Sequence, residues 1–275
     1  MVLNLNQAKV TIVIPHYKTL ELTKLCLRLL RKHTDINQAE ILVIDNGSQD
    51  ASTDYLKTLS WINLLIRDTT LDPTPWESHG NALNEAIAQV NTPYMLVIHT
   101  DTLVKKQGWL DFLLRHIEGH PLVAGVGSWK LESKPWYKRL FKKIERYFHL
   151  FLGLFGNKKK NKLYGTSENP YYLRSHCALY RTDLLKEHRL SFIHKDSTAG
   201  RELHRRLVEL GYEMVFIPSE GLSIYMDHVN HATMVLNPDE NELKSAAVKK
   251  GLKRIRKALK AVKADLILAS DDLDH

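Results

Sequence analysis

The stretch Tyr94-Met95-Leu96-Val97-Ile98-His99-Thr100-Asp101-Thr102 decides how the rest of this chain is read. It follows Thr92-Pro93, runs apolar as far as Ile98, and then turns abruptly polar. A short, uninterrupted apolar run of this kind suits a strand buried on both faces of a parallel sheet. In open α/β sheets the working residues lie just beyond the carboxyl ends of such strands, which is where His99 and Asp101 stand. If the extended backbone continues, the two side chains share a face. An imidazole and a carboxylate placed there could hold a divalent metal and, through it, a diphosphate. The pair Asp101-Thr102 equally suits a helix cap, so this stretch alone leaves both readings open.

Working outward, the flanking segments alternate between strand and helix. Val10 to Ile14 is strand-like and stops at Pro15-His16-Tyr17, and Leu20 to His33 has helical periodicity with a basic last turn. Glu40 to Ile44 predicts a second buried strand running into Asp45-Asn46-Gly47-Ser48-Gln49-Asp50. A short helix over 51–59, a strand over 62–67 and a helix opening at His79-Gly80-Asn81 complete the approach to Tyr94. Beyond Asp101, a helix from Gly108 to Gly119, a glycine-tolerant strand over 122–127, a strand over 175–180, helices over 182–188 and 196–210, and a strand over 213–217 are predicted. Such alternation calls for an α/β fold with a mostly parallel central sheet and right-handed crossovers.

Composition bounds the function. The 275 residues are 44% hydrophobic and 25% charged, as in an ordinary globular protein able to bury a substantial core. The net charge of +8 favours anionic partners, but it is concentrated in 138–162 and 244–263. Cys26 and Cys177 have no paired spacing and read as buried thiols in a reducing compartment. No signal-peptide pattern opens the chain and no apolar stretch is long enough to span a bilayer. The expected location is therefore the cytoplasm.

Two segments break the rhythm. Residues 130–169 mix aromatics with cations, as in Pro135-Trp136-Tyr137-Lys138-Arg139 and Phe148 to Phe155 before Lys158-Lys159-Lys160. This basic insertion suits either a helical addition with a solvated face or peripheral contact with an anionic membrane surface at the inner face. Residues 240–268 predict one long amphipathic helix, followed by the acidic tail Asp271-Asp272-Leu273-Asp274. The domain division expected is 1–238 and a C-terminal unit over 239–275.

The order of these pieces resembles glycosyltransferase family two on a GT-A fold. Ile14-Pro15-His16-Tyr17 is similar to that family's opening loop, and Ile44 to Asp50 to its second-strand Asp-Asn-Gly-Ser-x-Asp motif. His79-Gly80-Asn81-Ala82-Leu83-Asn84 stands where the family opens a helix with Gly-Asn, and His99-Thr100-Asp101 at its DxD position. Each motif is weak singly; four in order over roughly residues 9–231 are more specific. The resemblance implies a transferase using a nucleotide-diphosphate sugar and a divalent metal, Mn²⁺ or Mg²⁺. It implies that Pro15 and Tyr17 line the base, that Asp45 accepts from it, that Asn81 belongs to the donor site, and that Asp101 holds the metal. The acceptor would be a glycan, a lipid-linked glycan or a protein.

Two departures from the family pattern bear on mechanism. His99 replaces the usual acidic residue; imidazole can ligate Mn²⁺ but suits Mg²⁺ poorly. The late Glu-Asp pair is replaced by Ala199-Gly200. An inverting transferase needs a carboxylate to deprotonate the acceptor hydroxyl, which leaves Asp196 and Glu202 as rival catalytic bases, with Asp196 preferred because it precedes the helix. Glu202, inside it, suits pairing with Arg205 or Arg206. A late histidine completing the metal contacts would be His228 or His231, with His228 favoured by its position after the last strand. Trp129 is the candidate for stacking on a sugar. Rival readings are a catalytically silent sugar-nucleotide-binding protein and a basic nucleic-acid-binding protein. The latter leaves Asp45 and Asp101 unexplained, so no nucleic acid is expected.

Overall fold

The structure, a computed structural model, describes residues 8–72, 74–129, 131, 171–194, 198–229 and 246–275. The basic insertion (apart from Leu131), Asp196, His231 and the start of the expected C-terminal helix lie outside them.

Four parallel strands form one half of the central sheet: β1 (Val10–His16), β2 (Ala39–Asp45), β3 (Asn63–Ile66) and β4 (Tyr94–Ile98). Every residue of β4 is buried, as its unbroken apolar run requires. A short strand, β5 (Thr102–Val104), follows the polar end of β4. The other half of the sheet contains β6 (Val123–Gly127), β7 (Cys177–Arg181) and β8 (Glu213–Phe216), giving the order β3-β2-β1-β4-β7-β6-β8. Strand β7 runs antiparallel to both neighbours, with Cys177 opposite Ile98. A last strand, β9 (Met226–His228), pairs antiparallel with β5, setting His228 opposite Thr102.

The reversal of β7 brings its beginning, rather than its end, to the carboxyl edge of β4. It also demands close backbone approach at Gly127, where a Cβ would fall on the carbonyl oxygen of Cys177. Backbone cannot step aside there without breaking the β6–β7 pairing. Gly127→Ala is expected to cost about 1–3 kcal/mol, seen as a lower urea midpoint with an unchanged slope.

Helices cover both faces of the sheet. On one side α1 (Leu20–His33) buries Leu22, Leu25, Cys26, Leu29 and Leu30 in a core shared with β1, β2 and β4. On this side too lie α2 (Ala51–Thr58) and α4 (Trp109–Leu114), whose Trp109 is fully buried. The opposite core joins α3 (Pro75–Gln89), α5 (Thr182–Glu187) and α6 (Arg201–Glu209) to the other sheet face. Helix α3 starts earlier than its sequence motif suggests. Thr74 accepts from the Glu77 amide and its hydroxyl donates to the Glu77 carboxylate, and Pro75 occupies the first turn, so the start is fixed by an N-cap threonine followed by proline. A single turn, α7 (Ser219–Leu222), leads into β9.

The expected long C-terminal helix is two helices, α8 (Ala246–Ala261) and α9 (Ala264–Leu268), broken where Lys263 takes a left-handed φ of 53°. Ile255, Ala264 and Ile267 join the α1 core, while Lys249, Lys253, Arg256, Lys257 and Lys260 stay exposed. In the acidic tail Asp271 and Asp272 are exposed and Asp274 is not. Asp274 is buried against Arg28, which also donates to the carbonyls of Ile267 and Leu268.

Candidate active site

A cleft of about 940 Å³ opens along the carboxyl edge of the sheet. On its β1–β2 side stand Pro15, Tyr17, Asn46 and Asp72, at its centre His99 and Asp101, and on the β7–β6 side Trp129, Tyr172, Arg174, Ser175 and His176. This edge is where an open α/β sheet presents loops around its topological switch.

The centre is built by β4 and by the β5–β9 pair. Strand β4 ends at Ile98, and the turn to β5 buries Asp101. The amide of Val229 donates to the Asp101 carbonyl at 2.9 Å, continuing the β5–β9 ladder and fixing His228 beside it. His228 Nε2 lies 3.1 Å, and His99 Nδ1 3.8 Å, from Asp101 Oδ1. One ligand atom from each of the three residues lies within 4.8 Å of the other two. Two imidazoles with one carboxylate form a donor set that suits Mn²⁺ and suits Mg²⁺ poorly. Of the expected metal residues, Asp101, His99 and His228 are thus brought together.

A second layer holds these groups in orientation, and sequence reading did not single it out. Ser175 Oγ is 2.8 Å from His99 Nε2 and 3.3 Å from His79 Nε2. A bond at Nε2 leaves His99 Nδ1 to face Asp101, the arrangement in which an outer partner sets a ligand's tautomer. The His176 ring stacks on His228 at 4.5 Å, and its Nε2 is 2.9 Å from Ser128 Oγ. Burial pushes His79 down to about 4 and holds His176 well below its usual value, the latter helped by neighbouring His228 and His99. Both rings are therefore neutral near pH 7. Residues 174–176 precede an apolar strand, but nothing in their own pattern tells that this strand is reversed.

The side expected to take the nucleotide differs in detail from that expectation. Pro15 and Tyr17 line the cleft, and the amide of Lys18 donates to Ser48 Oγ at 2.8 Å, tying the two loops together. Asp45 is fully buried and does not line the cleft. Its oxygens accept from the Ser48 amide and hydroxyl and from the Thr53 hydroxyl. The adjoining Asn46 reaches the cleft instead, its Oδ1 accepting from Arg67. Asn81 also stays out of the lining; it donates to Asp72 Oδ1 at 2.6 Å, and Asp72 lines the cleft while pairing with Arg67 at 3.1 Å. Burial raises the Asp72 carboxyl, but the hydrogen bonds of Asn81, Arg67 and Ser78 outweigh it and hold the group below its usual value.

Of the rival bases, Glu202 sits in the first turn of α6, outside the cleft lining, and accepts from Nε and Nη2 of Arg205. Those bonds hold its carboxyl below the usual value. Thr198 and Ala199 line the cleft, Ala199 being the first of the two positions where the family pattern has an acid, and Asp196 lies outside the described residues. Trp129 is not an open stacking platform: its ring meets Tyr171 and Tyr172 edge-on, and the Arg174 guanidinium lies 4.8 Å from its centroid.

The model of the family described as "Glycosyl transferase family 2" matches residues 11–189. The chain belongs to that family. Membership makes nucleotide-sugar glycosyl transfer its activity class. The fold of this glycosyltransferase is GT-A, a mostly parallel sheet flanked by helices, as in solved structures that share little of its sequence. The mannosyltransferase PcManGT from Pyrobaculum calidifontis, in complex with GDP-Man and Mn²⁺, superposes with a TM-score of 0.55 at 16% identity, covering 95% of this chain and 78% of that one. TarS residues 1–349 from S. aureus give 0.53 at 17% identity, covering 92% and 72%. The same TarS fragment with UDP-GlcNAc gives 0.50 at 16% identity, covering 80% and 58%. No curated protein sequence matches the chain. Among the described residues, no helix is long and apolar enough to cross a membrane.

Proposed function

We propose that this glycosyltransferase is inverting and metal-dependent, moving a sugar from a nucleoside-diphosphate donor to a hydroxyl of a glycan, lipid-linked or protein acceptor. The observation that carries this reading is the convergence of His99, Asp101 and His228 beyond the end of β4, in the floor of the cleft. GDP-Man with Mn²⁺ in PcManGT, of the same fold, supports it. These three residues would hold a divalent ion, Mn²⁺ rather than Mg²⁺, which would neutralise the departing diphosphate as the glycosidic bond breaks.

The chain's own residues supply the rest. Pro15 and Tyr17 flank the base, and Asn46 and Asp72 present polar atoms beside it. Asp45 and Asn81 act through these neighbours: Asp45 fixes the turn that carries Asn46, and Asn81 fixes the Asp72 carboxylate. Asp196 takes the proton of the attacking hydroxyl, because Glu202 is bound to Arg205 outside the cleft. The cytoplasmic location, and contact of the basic insertion with an anionic membrane, belong to the same reading and rest on sequence.

Calorimetry with UDP and GDP, with and without Mn²⁺, tests the donor site; no binding under any of these conditions would overturn it. Asp196→Asn should leave that binding within twofold while lowering sugar transfer by about 10²–10⁴-fold, the usual contribution of a positioned base. Normal turnover by Asp196→Asn would remove it from that role.

A further inference from the structure

Arg174 is the one Lys or Arg among the described residues that line the cleft. Three other arginines of the fold are committed: the buried Arg28 to Asp274 and Arg67 to Asp72 and Glu85, and the half-buried Arg181 to the carbonyls of Ile117, His120 and Val123. Arg174 has no carboxylate partner among the described residues. Its guanidinium lies 4.8 Å from the Trp129 centroid and 5.2 Å from that of Tyr172, and Nη1 donates to the Tyr172 hydroxyl at 2.5 Å. Rings and phenol immobilise the cation without neutralising it. Nε and Nη2 have no hydrogen-bond partner among the described residues, and the Tyr172 hydroxyl, already accepting, keeps its own proton to donate.

The place of this receptor in the sheet says what it receives. The base-side residues follow β1 and β2, the metal residues follow β4, and Arg174 precedes the reversed β7, next to Trp129 beyond β6. Along the cleft the order is base, metal, Arg174. A diphosphate held at the triad leaves Arg174 on the far side, where the acceptor must approach to displace it. We infer that the acceptor of this glycosyltransferase carries a phosphate group, bound by Arg174 and the Tyr172 hydroxyl beside the attacking hydroxyl. A phosphate can take the guanidinium fork on two oxygens and offer a third to the Tyr172 hydroxyl, whereas a planar carboxylate reaches all three donors only by sharing an oxygen between two of them.

This inference rests on the transferase reading for its placement, and the test separates the two. Glycerol 3-phosphate, a phosphate ester with free hydroxyls, is titrated into the full chain with glycerol as control, in the presence and absence of Mn²⁺ and UDP or GDP. Wild type should bind the ester and not glycerol. Arg174→Gln should weaken ester binding by about tenfold or more, the scale of a charge-assisted pair, while nucleotide affinity stays within twofold. Arg174→Lys keeps the charge without the planar fork and should fall between; its circular dichroism and melting curve, with those of Arg174→Gln, establish folding. Three results would overturn the inference: no ester binding by wild type, ester binding indifferent to both substitutions, or a loss confined to UDP and GDP, which would assign Arg174 to the leaving diphosphate. Failure of the donor reading is seen elsewhere, as absent nucleotide binding in wild type.

Discussion

Asp101→Ala is expected to abolish Mn²⁺-dependent nucleotide binding, lowering the affinity for UDP or GDP with Mn²⁺ by about 100-fold or more. Loss of a mere supporting partner costs about 10–100-fold at metal sites, and Asp101 is the one carboxylate of the triad. Both imidazoles approach its Oδ1, at 3.1 Å from His228 and 3.8 Å from His99. Without the carboxylate the remaining ligands are neutral, so an ion there keeps less of its charge balanced and binds weakly. The measurement is calorimetric titration of Mn²⁺ alone and of nucleotide with and without Mn²⁺, beside a melting curve. An Asp101→Ala protein that melts normally and still binds nucleotide in a Mn²⁺-dependent way would return Asp101 to a structural role.

The second large effect lies far from the cleft. Asp274→Ala is expected to destabilise the fold by about 3–5 kcal/mol, the usual cost of stranding one member of a buried ion pair. Arg28 and Asp274 side chains are 5% and 8% exposed, and the pair is bidentate. Tyr55 donates to the same carboxylate at 2.7 Å and Trp61 to the Asp274 carbonyl at 3.0 Å. Removing the carboxylate leaves the guanidinium on α1 without its charge partner, and loosens the contact of α9 with the main core. The melting temperature should fall by roughly 6 °C or more.

The pH dependence has a definite sign. Burial pushes the Asp274 carboxyl up, but the hydrogen bonds of Arg28 and Tyr55 and the guanidinium charge outweigh it and hold the group below its usual value. A depressed folded pKa stabilises above the unfolded value and loses that contribution as pH falls through the folded one. The stability gap between wild type and Asp274→Ala should therefore be widest near neutrality and narrow below about pH 4. A gap independent of pH would mean that packing of the tail, rather than its charge, holds α9 in place.

How far the cleft was legible depends on the range of the forces that build it. Asp101 stands beyond an unbroken apolar strand, and the carboxyl end of a buried parallel strand is a local feature of sequence. His228 follows Met226, and its proximity to Asp101 needs the pairing of β5 with β9, whose strands are too short to show a period. Asp45 illustrates the opposite error. A carboxylate after a buried run needs partners, and here Ser48 and Thr53 supply them from within the same turn and helix, leaving Asn46 to face the cleft.

By itself the sequence determined the α/β alternation, the buried strand at 94–98, and the glycosyltransferase motifs on strand ends, because strand burial and turn chemistry act between residues close in the chain. Tertiary structure alone decided that β7 runs backwards and delivers Arg174, Ser175 and His176 to the site, that the C-terminal helix breaks at Lys263, and that Asp274 is buried on Arg28. Those outcomes rest on contacts between residues far apart in sequence, where the direction of a strand and the partner of a charge are set by which surfaces remain to be covered once the parallel half of the sheet has formed.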